Sequence, residues 1–186
     1  MNSPKERRGI SAVLLAGQTL DSTVLDLAAV LQGLASDFEI VVVGDGSARL
    51  TEGVEGLRAS APRLPLRLVQ GKTIAAGFAA AEHDLICICA ADGRFDVREL
   101  NHLLEAVEQG ADLAIGYRSR WTDGIVRQLQ RWGWQIELDC AFELFRRTIY
   151  RDLRRVRRLG YRVVQLPVSD HRPMLGTPAA AASHAA

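Results

Sequence analysis

The feature that most restricts the fold of this chain is a series of short apolar runs separated by helix-compatible stretches. Ile10–Leu15 is apolar apart from Ser11, Glu39–Val43 is rich in β-branched residues, and Leu85–Cys89 is apolar throughout. Runs without alternation read as strands buried on both faces, which a parallel sheet covered by helices requires. The pattern predicts further strands at Leu66–Val69, Asp112–Ile115 and Tyr161–Leu166, with helices at Thr23–Leu34, Ile74–Ala81 and Val97–Glu108. The class is therefore α/β. In open parallel sheets ligands bind at the carboxyl ends of the strands, so the loops Ala16–Ser22, Gly44–Ser47, Ala90–Arg94 and Gly116–Arg120 are where a site is expected.

The 186 residues suffice for one domain with a core and are too few for two. We expect that domain at residues 9–176, with disordered tails at 1–8 and 177–186. A net charge of +1 gives no general attraction to nucleic acid. The three cysteines are an odd count, and Cys87 and Cys89 lie inside an apolar run, which fits a reducing, cytoplasmic setting better than a disulfide framework. No apolar run approaches the roughly 20 residues that span a bilayer. Eight arginines fall between Arg146 and Arg162, and Arg146–Leu159 reads as a basic amphipathic helix. Its Arg147, Arg151, Arg154 and Arg158 share one face, either drawn to an anionic membrane or simply solvated while Ile149, Leu153 and Val156 pack on the sheet. Tyr117–Glu137, with Trp121, Trp132 and Trp134, reads as a long loop with a partial helix.

Three short motifs fail on spacing. Gly71-Lys72-Thr73 ends like a P-loop, but the first glycine of that motif would have to stand at Leu66. Gly44-x-Gly46 lacks the third glycine of a dinucleotide fingerprint, at Arg49. Cys87-x-Cys89 has no second Cys/His pair, and with the two thiols expected on opposite strand faces they read as small buried hydrophobes.

Longer segments carry a specific resemblance. Glu39–Ser47 is similar to the strand and Asp-Asp-Gly-Ser turn of family 2 glycosyltransferases, and Leu85–Asp96 to the strand ending in Asp-Ala-Asp-Gly-Gln-Phe-Asp. Ala111–Arg118 matches the next strand with its Gly-x-Arg ending. Asp139–Arg147 and Gly160–Val168, with Arg172 and Gly176 beyond, resemble segments of the dolichyl- and polyprenyl-phosphate sugar transferases. The matches run in family order over about residues 10–177. They imply a single GT-A domain, with a mostly parallel sheet and helices on both faces.

The resemblance also implies a chemistry: inverting transfer from a nucleotide-diphosphate sugar to a phosphorylated, polyprenyl-phosphate-like acceptor, peripherally at the membrane's inner face. The leaving diphosphate must be neutralised, usually by a divalent ion on carboxylates. By position Asp92 would hold Mg²⁺ or Mn²⁺, since the first aspartate of the family's Asp-x-Asp is Ala90 here. Arg94 could neutralise the diphosphate directly, and Asp92 could instead only cap a turn. Ala16 and Asp45 fall on the donor side; Arg118, Arg127 and Arg172 fall on the acceptor side, with Asp139 as a base or metal-side carboxylate. Gly44 stands for the first aspartate of the turn, and Leu15-Ala16-Gly17-Gln18-Thr19 for Pro-x-Tyr-Asn-Glu. Thr177 and Pro178 replace a serine and a lysine, and two segments are shorter than usual. These departures imply two rivals: a catalytically inactive homologue that binds a nucleotide or partner and regulates, and an enzyme of the same fold acting on another substrate.

Overall fold

The computed structural model describes residues 9–17, 20–91, 95–118, 142–149, 151 and 159–168, with backbone alone at 117 and 118. Its strands are β1 (Ile10–Leu15), β2 (Phe38–Gly44), β3 (Leu66–Gln70), β4 (Leu85–Ala90), β5 (Leu113–Arg118), β6 (Phe142–Arg146) and β7 (Val163–Val168). Its helices are α1 (Leu20–Leu34), α2 (Ala48–Ser60), α3 (Ile74–Ala80) and α4 (Leu100–Glu108), the last entered through a 3-10 turn at Val97–Glu99.

The strands form one sheet in the order β3-β2-β1-β4-β6-β5-β7. Only the pairings of β6, with β4 and with β5, are antiparallel. All others are parallel, so six carboxyl ends meet along one edge. The chain steps outward from β1 to β3 and then returns to place β4 on the other side of β1. That reversal opens a crevice at the carboxyl end of β1.

Strand alternation sorts the core into two layers. Ala12, Leu14, Ile40, Val42, Cys87, Cys89, Phe142 and Leu144 face α1, α2 and α4, where Val24, Leu27, Leu31, Val54, Leu57, Leu100 and Leu103 cover them. Val13, Val41, Val43, Ile86, Leu113 and Phe145 face α3 and Ile149. Cys87 and Cys89 thus share a face, because strand positions i and i+2 always do; the expectation of opposite faces is corrected. Burial pushes the Cys87 thiol well above its ordinary value, as suits a small apolar packing group.

Two elements are absent from the sequence reading. Helix α2 carries Gly53 and Gly56 and buries only Val54 and Leu57, so its helical period is faint. Strand β6 occupies Phe142–Arg146, and the residues expected to open a basic helix at Arg146 instead end a strand and enter a turn at 147–149. Arg147 therefore leaves the expected basic face: its guanidinium donates to the Ala81 carbonyl at 2.5 Å and lies 5.9 Å over the Phe78 ring. Residues 152–158, the Tyr117–Glu137 loop beyond 118 and the tails lie outside the described residues.

Candidate functional site

The carboxyl edges of β1 to β4 are tied together by backbone bonds. Ala16 N donates to Val43 O at 2.9 Å, Gly71 N to Gly44 O at 2.8 Å, and Ala91 N to Leu15 O at 3.2 Å. Above this edge lies a cleft of about 970 Å³, a size that accommodates a nucleotide-sized ligand. Its wall is built by the end of β1 (Leu15, Ala16, Gly17), the first turn of α1 (Leu20, Asp21, Ser22), the β2–α2 turn and the β3–α3 loop at Gly71 and Lys72. Leu15 is 38% exposed, an apolar side chain left uncovered at the floor.

The β2–α2 turn has a local cause. Asp45 Oδ1 accepts the Ser47 N–H at 3.0 Å, and Gly46 takes φ +77°, a left-handed conformation that glycine adopts without strain. The Ser47 N–H and hydroxyl hold the Asp45 carboxyl below the usual carboxylate range, and the Lys72 charge adds to the effect. Arg49 and Lys72 bring two cations to the wall and Asp21 and Asp45 two carboxylates.

Gly44 is filled from outside. A Cβ built on it would lie 1.9 Å from Leu50 Cδ2 and 3.5 Å from Ala16 Cβ. The Leu50 side chain, from the first turn of α2, therefore occupies the room that a side chain at position 44 would need.

Of the residues singled out from sequence, Ala16 and Asp45 both line this cleft. Arg118 ends β5, three strand spacings from β1, or about 14 Å along the same edge. Asp92, Arg94, Arg127, Asp139 and Arg172 lie outside the described residues. The described residues on either side of Asp92 and Arg94 are held in place, however: Ala91 by its bond to Leu15, and Phe95 by stacking on Phe142 with ring centroids 5.7 Å apart. Among the described residues no three metal-ligating side chains come together. Sequence reasoning missed Lys72, Arg49 and Leu50. Lys72 had a signal in the rejected Gly71-Lys72-Thr73 motif: the spacing is wrong for a P-loop, but the lysine still follows a strand's carboxyl end.

A single α/β domain with this sheet order and a cleft over the carboxyl ends of β1–β3 is of the GT-A type, the fold of nucleotide-diphospho-sugar transferases. The chain belongs to glycosyl transferase family 2, whose family model matches residues 14–164. Among solved structures it is similar to a mannosyltransferase from Pyrobaculum calidifontis in complex with GDP-Man and Mn²⁺ (17% identity, TM-score 0.67), covering 92% of this chain and 59% of that one. It is also similar to glucosyl-3-phosphoglycerate synthase from Mycobacterium tuberculosis in complex with Mn²⁺, UDP-Glc and phosphoglyceric acid (18%, TM-score 0.61), covering 89% and 72%. A third is 4-diphosphocytidyl-2C-methyl-D-erythritol synthase from Anaerococcus prevotii (12%, TM-score 0.58), covering 87% and 88%. No curated protein matches the chain by sequence.

Proposed function

We propose that this protein transfers a sugar from a nucleotide-diphosphate donor bound in the β1–β3 cleft. The observation that carries the reading is the joint placement of Asp45, Arg49 and Lys72 around a nucleotide-sized cleft at the carboxyl edge. Lys72 and Arg49 are suited to the diphosphate, since an ammonium and a guanidinium both donate to phosphate oxygens and the guanidinium can bind them in pairs. Mg²⁺ or Mn²⁺ held through Asp92 and the donor phosphates would supply further neutralisation of the leaving group, and Arg94 offers the same charge without a metal. The complexes of the first two structural relatives, with GDP-Man and with UDP-Glc, each beside Mn²⁺, support this choice of donor and ion.

The acceptor is proposed to be phosphorylated, with polyprenyl phosphate as the first candidate. The reading rests on Arg118, Arg127 and Arg172 and on the Asp139–Arg147 resemblance. Binding two anionic groups side by side would then do the catalytic work, by an in-line displacement that inverts the anomeric carbon. Asp139 would serve the acceptor or the metal side. A second reading, a regulatory homologue that binds nucleotide without turnover, is favoured by Leu50 standing at Gly44 and by Ala90 at the first Asp-x-Asp position.

Isothermal titration with UDP, GDP and their sugar conjugates, with and without Mn²⁺, tests the donor reading. Micromolar binding of a nucleotide that Lys72→Ala weakens about tenfold or more is expected. No binding by any of them overturns it. Turnover abolished by Asp92→Ala would mark the transferase; nucleotide binding with no turnover in any acceptor screen would mark the regulatory homologue.

A further inference from the structure

Glu143 is a carboxylate set into the interior of the sheet, opposite Ile88 of β4 and Ile115 of β5. Strand alternation puts it on the face of Phe145, which packs with Ile86 and Leu113. Among the described residues no donor bonds its carboxyl, and burial raises its pKa to about 7 with nothing to offset it. A carboxylate withdrawn from water is ordinarily paired or bound to a metal, because an unpaired one costs stability. Glu143 thus has a cost in the fold and no described partner that repays it.

The register shows what it is placed to reach. β6 runs antiparallel to β4, so Glu143, the second residue of β6, lies near the carboxyl edge of β4. Standing opposite Ile88, it is the diagonal neighbour of Ala90, the last residue of β4, on the same face. Such neighbours are about 7–8 Å apart, a span that a long side chain covers. On its other side Ala90 is paired with Leu15, whose exposed side chain lines the cleft. Leu15 and Ala90 therefore lead from the cleft to Glu143, and Ala90 itself offers only a methyl group.

We propose that Glu143 is a ligand of the divalent ion that neutralises the donor diphosphate, supplying from β6 the carboxylate that the end of β4 lacks at Ala90. The inference rests on the donor reading above and deepens it. An ion such as Mg²⁺ takes one or two carboxylates and fills its other positions with substrate phosphates and water, so it needs no cluster of three protein ligands. Charge is also sorted along the edge. Arg49 and Lys72 lie on the β2 and β3 side of β1, and Glu143 lies on the β4 and β6 side. A diphosphate above β1 has cationic side chains on one flank and a metal-holding carboxylate on the other.

The test is isothermal titration of the full chain with UDP and GDP, in Mn²⁺ and in EDTA, on the wild type, Glu143→Gln and the double variant Ala90→Asp/Glu143→Gln. The wild type is expected to bind its nucleotide more tightly in Mn²⁺ than in EDTA. Glu143→Gln is expected to lose about tenfold or more of affinity in Mn²⁺ and to keep its affinity in EDTA. Ala90→Asp in the same chain returns a carboxylate to the end of β4 and is expected to restore the Mn²⁺ effect, which a merely structural role for Glu143 would not allow. Should Glu143→Gln lose its native circular dichroism, Glu143→Leu, which suits the isoleucines on either side, takes its place with the same expectation. A folded Glu143 variant with an undiminished Mn²⁺ effect overturns the inference and leaves the donor reading intact. So does a wild type that binds nucleotide equally well in Mn²⁺ and in EDTA. Absence of binding by both nucleotides in either condition removes the donor reading itself, and the inference with it.

Discussion

Glu39 on β2 and Arg67 on β3 form an ion pair at the amino edge of the sheet, the end away from the cleft. The same carboxylate accepts Ser11 Oγ–H and the Glu82 N–H, each at 2.6 Å, and Arg67 also donates to the Ala80 carbonyl at 2.8 Å. Glu39 thus joins β1, β2, β3 and the exit of α3 in one network. Burial alone would raise its pKa, but the bonds from Ser11, Glu82 and Arg67 outweigh it, and the carboxyl stays below its ordinary 4.5.

A depressed carboxyl contributes stability above its unfolded value and loses it as pH falls through the folded one. Glu39→Gln is therefore expected to destabilise the fold by about 1–3 kcal/mol at pH 7, by removing charge-assisted bonds at a mostly buried site. The gap between variant and wild type should narrow below pH 4.5, where the unfolded chain takes up its proton first. Urea melts at pH 7 and pH 3.5 check both parts; a gap independent of pH would count against the network.

Glu143 behaves oppositely. It lies on β6 between Ile88 of β4 and Ile115 of β5, and burial among these groups raises its pKa to about 7. The folded chain keeps this proton after the unfolded chain has lost it, so stability falls as pH rises from 4.5 through 7. Glu143→Gln removes the penalty. We expect little effect at pH 4.5 and stabilisation at pH 8 of at most about 3 kcal/mol. Thermal melts of both proteins across that range read the crossover.

Gly44 and Leu50 should be energetically coupled. Glycine to alanine in a strand ordinarily gains about 0.5–1 kcal/mol, but a Cβ here would meet Leu50 Cδ2 at 1.9 Å. Gly44→Ala is expected to cost about 1–3 kcal/mol in the wild type through overpacking, and to lose that cost in a Leu50→Ala background. A double-mutant cycle by urea denaturation measures the coupling, expected to be at least about 1 kcal/mol. Additive effects would mean that Leu50 moves aside freely.

Sequence alone determined the sheet's character and most of its elements. β1 was legible to the residue, and β2, β3, β4 and α3 to within one or two, because a strand buried on both faces must be apolar at successive positions. It also singled out Ala16 and Asp45, and the structure puts both in the wall of one cleft. Tertiary structure decided the rest. The five residues of β6 carry Glu143 among apolar neighbours, and only their pairing with β4 and β5 makes them a strand. Lys72 reaches the cleft because β3 lies beside β2 with Gly71 bonded to Gly44, a relation between residues 27 apart that no local pattern expresses. The filling of Gly44 by Leu50 is likewise a matter of side-chain volume across a turn: sequence shows a glycine where a carboxylate was expected, and packing shows what took its place.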